Sequence, residues 1–395
     1  MNVHHNASAS SGLSLRERDS RYVAIRAELA KRDLKGIIVQ GTHLLYLSNG
    51  VPGEMLGFLP TQGDLPFTEI LMWRYLADVE KDVVLDHHPW IGDLRSGRDA
   101  MALVERFQEI GLTQGKVGYA GSLTTRSAGQ VKKSLPGIEL VDATDILINA
   151  RTIKSAEEVA LMEKANRIFD AAIKEVHKKA RPGMLGRDID AIARSGMWAA
   201  GGDSESYGKF SFGPVGTQNP IMAEICMDRE IQDGDIGILT AHAHFQHYAG
   251  HSDQVFTFGK QNPIHREMFD AVIQVRDEVM QAVRPGATHR DLVDVYEVAT
   301  AKTGFKTSPH SQMHLYGLDV PEFPGPAFKI DDTKGGAGLG GSGNFTITEG
   351  MIYSISPTLI NAVTGDLVLG GTSLVVTKDG YRNLSDRKVE LLVAG

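Results

Sequence analysis

Residues 181–189, Arg-Pro-Gly-Met-Leu-Gly-Arg-Asp-Ile, return 103 residues later as Arg-Pro-Gly-Ala-Thr-His-Arg-Asp-Leu at 284–292. Glu175 and Val176 match Glu278 and Val279 at the same offset. Each copy reads as a long amphipathic helix, a Pro-Gly break, and a second helix opening near the Asp. Proline and glycine interrupt the first helix because one lacks an N–H and the other tolerates backbone angles that a helix does not use. A strand-rich segment follows each copy. Two such halves are expected to pack about a pseudo-two-fold axis, with a cleft where their sheets meet. The repeat predicts an α+β domain, and the motif at 151–158 sets its expected bounds at 151–395. Its first helix is announced by Ser155 with Glu157 and Glu158, a hydroxyl cap followed by acids at the positive end of the helix dipole.

The preceding 13–150 segment alternates helical and apolar stretches, which predicts an α/β domain. A helix is expected over 13–34 and a buried strand over 35–40. Short apolar runs near 68–73, 82–85 and 116–119 read as further strands, and 98–110 as a helix. Residues 50–66 read as a Gly/Pro-rich loop whose Met55, Leu56, Phe58 and Leu59 either mark a binding surface or fold onto the core. Residues 1–12 are polar and are expected to be mobile.

The chain has 395 residues, 42% hydrophobic and 23% charged, with a formal net charge of −8. Such a balance is that of a globular protein and gives no reason to expect a nucleic-acid or membrane partner. The N-terminal segment lacks the apolar core of a signal peptide, and no stretch approaches a membrane span. Cys226 is the single cysteine, so no intrachain disulfide forms. A cytoplasmic location is the expectation.

The chemistry concentrates in 235–258, which reads as a β-hairpin. Ile236, Ile238 and Thr240 alternate with Gly237, Leu239 and Ala241, and Asp253–Phe258 is the return strand. If Thr240 faces the cleft, so does His242, because strand side chains repeat every second residue. His244 follows if the strand continues. His247 and His251 complete four histidines in this region, and His310 and His314 belong to the second half.

The motifs at 235–258, Gln-Met-His-Leu-Tyr-Gly-Leu (312–318), Glu-Gly-Met-Ile-Tyr-Ser-Ile-Ser-Pro (349–357) and Leu-Val-Val-Thr-Lys-Asp-Gly (374–380) resemble the creatinase / prolidase / aminopeptidase P family, with its pita-bread fold. Arg-Thr-Ile-Lys-Ser-Ala-Glu-Glu (151–158) is similar to that family's junction between domains. The resemblance implies a homodimer and a frame for five metal ligands: two Asp, one His and two Glu. Carried over, these fall on Thr240, Asp253, His314, Ser356 and Gly371, so two of the five are kept. The hairpin connection is also two residues longer than the family's. Creatinase itself works without the metals, but its catalytic His falls here on Gln218. Its substrate-binding Glu positions fall on Val255 and Ser356, and a second substrate His on Pro321.

Two chemical readings follow. In the first, His314 and a strand histidine (His242 or His244), with His310 and Asp253, transfer protons in a metal-free site. Gln218, Thr240, His251 and Ser356 then position a small substrate whose C–N bond is hydrolysed, and no cofactor is needed. In the second, His242, Asp253 and His314 hold a single Zn, Fe or Mn ion for a hydrolase or lyase. A third reading is an inactive pita-bread domain that binds a partner. Gly336-Ala-Gly-Leu-Gly-Gly341 matches a dinucleotide pattern, but leads into a strand rather than a helix and is rejected. Arg74, Arg95 and Arg98 read as surface residues.

Overall fold

The structure is a computed structural model and describes residues 12–50, 54–71, 78–97, 100–213, 223–308, 312–322 and 344–395. The expected mobile N-terminus lies outside the described residues, except for Gly12. So do the Gly336–Gly341 motif, His310, Gln218, Arg74 and Arg98. The chain divides into two compact units, Met1–Ala150 and Arg151–Gly395.

The first unit runs α1 (Leu15–Lys31), β1 (Leu34–Val39), α2 (Thr42–Ser48), β2 (Glu54–Pro60), β3 (Thr68–Leu71), α3 (Asp78–His87), β4 (Asp93–Ser96), α4 (Met101–Glu109), β5 (Gln114–Ala120), α5 (Thr125–Ser134), β6 (Gly137–Asp142) and α6 (Thr144–Thr152). Its six strands form one mixed sheet in the order β4-β3-β2-β1-β5-β6. Two sequence expectations fail here. The apolar run 82–85 lies in helix α3, where Val84 and Leu85 pack against Leu71, Ile91 and Leu94. A four-residue apolar run does not distinguish strand from helix, and tertiary packing decides it. The expected loop at 50–66 contains β2, and Leu56, Phe58 and Leu59 are fully buried core residues rather than a binding surface. Arg95 is engaged by Asp93 and Glu109 at 2.9 and 2.5 Å.

The second unit runs α7 (Ala156–Lys179), α8 (Gly186–Ala199), β7 (Tyr207–Phe212), α9 (Ala223–Cys226), β8 (Ile236–Phe245), β9 (Tyr248–Phe258), α10 (Pro263–Ala282), α11 (His289–Thr303), β10 (Lys306–Thr307), β11 (Gln312–Leu315), β12 (Ile352–Ser356), β13 (Thr358–Ile360), β14 (Leu367–Leu369), β15 (Thr372–Thr377), β16 (Gly380–Asn383) and β17 (Leu392–Ala394). Two four-stranded sheets, β17-β9-β8-β7 and β11-β12-β15-β16, carry the two halves, and β10-β13-β14 forms a smaller third sheet.

The sequence repeat is a repeat of hydrogen bonds. Gly183 and Gly286 both have φ +88°, a left-handed angle that suits glycine. Gly183 N–H donates to Ile231 O at 2.8 Å, and Gly286 N–H to Ile347 O at 2.9 Å. Asp188 accepts from Leu185 N at 2.9 Å, and Asp291 from Thr288 N at 2.7 Å, so the same carboxylate caps the second helix of each half. Helices α7 and α8 cover the first sheet through Phe169, Ile173, Phe210, Phe212 and Phe256. Helices α10 and α11 cover the second through Val279, Tyr296, Leu315, Tyr353 and Leu374. The opposite face of the β8–β9 hairpin is apolar at one end, where Ile236, Ile238 and Val255 pack with Leu359, Val368 and Leu369. Further along, the same face turns polar, and there the site lies.

Candidate active site

Strands β8 and β9 pair antiparallel with Thr240 opposite Asp253 and His242 opposite His251. Direct cross-strand pairing puts these four side chains on one face. In the second sheet His314 of β11 lies opposite Ser354 of β12, which in turn pairs with Ser373 of β15. Two contacts tie the sheets together: Ser252 Oγ donates to Gly371 O at 3.1 Å, and Ser373 Oγ donates to His251 O.

Three imidazoles meet where the sheets approach. The His242 and His251 rings are edge-to-face at 4.5 Å between centroids, and His251 stacks on His314 at 5.2 Å. His314, His251, Asp253 and Ser356 are buried. His314 Nδ1 faces Leu315 O at 3.0 Å. A carbonyl only accepts, so Nδ1 carries the hydrogen and Nε2 presents the lone pair. Tyr207 Oη lies 3.0 Å from His242 Nδ1 and orients that ring from β7.

Asp253 faces hydroxyl groups. Thr240 Oγ1 donates to its Oδ1 at 2.6 Å, and the Ser356 hydroxyl lies beside the carboxylate. Burial pushes the Asp253 carboxyl above its ordinary range, against the pull of these hydroxyls and of His314. Burial and the neighbouring His251 hold His314 down at about 3. His242 is held well below its ordinary value by burial and then by His251, His244 and His314. The three rings cannot share several positive charges at this spacing, so His242 and His314 stay neutral at neutral pH. Behind β9, Arg387 binds Asp170 at 2.8 Å, Gln254 at 2.7 Å and Ser252 at 3.3 Å, fixing the strand that carries His251 and Asp253.

The five positions to which the resemblance assigns metal ligands do come together, but their chemistry does not suit a metal pair. Thr240 and Ser356 offer neutral hydroxyls. A Cβ at Gly371 would overlap Ser356 Oγ and stand 3.1 Å from Asp253 Oδ2, so a longer side chain there would have to displace the Ser356 hydroxyl and crowd Asp253. The single-ion alternative also fails its geometric test. Among the described residues only Asp203, Glu205 and His247 bring three ligand atoms within 4.8 Å of one another, and His242, Asp253 and His314 do not. Divalent ions need converging anionic or imidazole donors, and the ligand atoms of His242, Asp253 and His314 do not converge to that distance.

The site expected from the sequence is therefore split. Thr240, His242, His251, Asp253, His314 and Ser356 gather. His244 lies beyond them on β8, under the influence of Glu205, Asp203 and His247, and His247 occupies the hairpin turn. Gln218 and His310 fall outside the described residues. Sequence reasoning missed Tyr207, Ser373 and Tyr316. Tyr316, two residues after His314, carries the one usable signal, since period two puts it beside the His314 ring, 6.5 Å away.

Residues 160–378, more than half of the chain, match the model of metallopeptidase family M24. The chain belongs to the M24 family. It is 24% identical over 277 residues to a Xaa-Pro dipeptidase of Pyrococcus horikoshii, covering 70% of this chain and 74% of the relative. It is 22% identical over 306 residues to an Escherichia coli Xaa-Pro aminopeptidase, covering 69% and 66%. The solved prolidase of Pyrococcus horikoshii OT3 superposes with a TM-score of 0.76 at 18% identity, covering 94% of this chain and 99% of that one. A Xaa-Pro dipeptidase of Bacillus anthracis gives 0.77 at 18% identity, covering 95% and 99%. These structures share the pita-bread fold, and this M24 chain is a member of a hydrolase family. Among its described residues no helix is long and apolar enough to cross a membrane.

Proposed function

We propose that this M24 protein hydrolyses a C–N bond of a small substrate by imidazole acid–base chemistry, without the family's paired metal ions, and acts as a homodimer. The observation that carries this reading is the Thr240–Asp253 hydrogen bond of 2.6 Å together with Ser356 filling the space in front of Gly371. Hydroxyls occupy the positions where a dinuclear centre needs carboxylates. The rest of the face is imidazole. His314, with Nδ1–H fixed on Leu315 O, accepts a proton at Nε2 from the attacking water, and Asp253 favours the imidazolium so formed. The protonated His314 then gives that proton to the leaving nitrogen, and His242, steered by Tyr207, faces the substrate as a neutral hydrogen-bonding group. Thr240, His251 and Ser356 position the substrate.

The test is a panel of small amides, ureas, guanidines and Xaa-Pro dipeptides, followed by amine or ammonia release with chelator-treated protein. Turnover of a small C–N substrate that persists in chelator and vanishes in His314→Ala supports the reading. Cleavage of Xaa-Pro dipeptides only on adding manganese or cobalt overturns it in favour of the activity named for the relatives. That second reading is supported by the identity to Xaa-Pro dipeptidases. Light scattering that gives one chain per particle rejects the homodimer.

A further inference from the structure

We propose that the tip of the β8–β9 hairpin binds one divalent first-row transition-metal ion, with zinc as the reference ion, through His247, Glu205 and Asp203. Ligand atoms of Asp203, Glu205 and His247 lie within 4.8 Å of one another. His247 Nδ1 stands 3.4 Å from Glu205 Oε2. Tetrahedral zinc with bonds of roughly 2.0–2.1 Å places neighbouring donors about 3.3–3.4 Å apart. These two atoms therefore already span one edge of such a tetrahedron.

His244 lies at the adjoining end of β8. Its Nδ1 is buried and has no hydrogen-bond partner among the described residues. Asp203 N–H donates to His244 O at 2.8 Å, which places this end of β8 beside the same cluster. One imidazole and two carboxylates, with water in the fourth position, form a mixed set suited to zinc and its neighbours rather than to calcium or magnesium.

A capped turn or a plain ion pair accounts for less. Asp203 Oδ2 accepts from His247 N at 2.9 Å, which caps the turn but leaves the second oxygen of that carboxylate to bind elsewhere. An ordinary ion pair between His247 and the half-exposed Glu205 contributes little to stability. Such a pair does not require a turn with Gln246 at φ +49° and His247 at φ +67°, where two-residue hairpins favour Asn-Gly. The tip is also separate from the buried frame, because His244 follows Thr240 by four strand residues, roughly 13 Å.

The experiment strips the full-length protein with chelator and titrates Zn²⁺ against a chromophoric chelator, in the wild type and in His247→Ala, Glu205→Gln and His314→Ala. The expected result is one zinc per chain, weakened at least about tenfold by His247→Ala and by Glu205→Gln and unchanged by His314→Ala. Circular dichroism in chelator checks that the tip variants melt like the wild type. Three outcomes overturn the proposal: no binding at about 0.1 mM zinc, binding indifferent to both tip substitutions, or binding lost in His314→Ala. The last would place the ion in the buried frame.

Discussion

One strand pair carries two sites of opposite character. At the deep end of the β8–β9 hairpin, His242, His251 and Asp253 are packed against the second sheet, and burial drives His242 and Asp253 toward their neutral forms. At the tip, His247 sits in the turn, partly exposed beside Asp203 and Glu205. Both ends combine histidine with acid, but the acids at the tip, Asp203 and Glu205, come from the segment before β7. The difference lies in what desolvates each group, and it teaches that a histidine count on a strand says little about chemistry until packing is known.

The largest effect that can break this comparison comes from Gly371→Glu. The side chain must enter space held by Ser356 and beside Asp253, so overpacking and a buried charge combine. Urea unfolding is expected to show a loss of about 3–5 kcal/mol. A stable variant that gains two metals per chain would mean the deep end is an open metal frame after all.

Thr240→Val comes next. It removes the donor to Asp253 while keeping the shape, leaving a buried acceptor short of a partner at a cost of about 1–3 kcal/mol. No measurable change in the urea midpoint would show that the hydroxyl does not support Asp253.

The pH dependence sharpens the contrast further. His314 has a folded value of about 3, below the ordinary 6.5 of the unfolded chain. Between these values the unfolded state binds the extra proton, so stability falls as pH drops from 6.5 toward 3. The slope from this residue is about 1.4 kcal/mol per pH unit. Asp253 acts in the opposite sense above 3.8, because its folded value is raised. Unfolding of wild type and His314→Gln at about pH 6.5, 5.5 and 4.5 isolates the histidine contribution: the variant should lose less stability on acidification. Parallel curves would show that His314 is not held neutral by the fold.

The smallest effect lies at the tip. Gln246→Asn with His247→Gly relaxes two left-handed residues and should stabilise the chelator-treated protein by roughly 0.5–1 kcal/mol in thermal or urea unfolding. A loss of stability would mean that the native turn is not strained.

Much of the fold is legible in the sequence. The 103-residue repeat, the cap at Ser155 and the alternation through Thr240 and His242 are local patterns, written in periodicity and capping chemistry. Strand β2 and helix α3 are not legible, because a Gly/Pro-rich run and a four-residue apolar run are each compatible with more than one element until the sheet claims them. The site is half legible. Period two puts Thr240 and His242 on one face, but it cannot choose Thr240 rather than an imidazole as the partner of Asp253.

Residue identity and spacing suffice for the repeat, for the two-sheet second unit and for the loss of carboxylates from three of the five ligand positions. Packing alone settles that His251 lies between His242 and His314, that Ser356 closes the space before Gly371, and that His247 meets Asp203 and Glu205. These are contacts between segments distant in the chain. Their distances, and the desolvation that sets each group's charge, come into being only when the two sheets and the hairpin tip are packed.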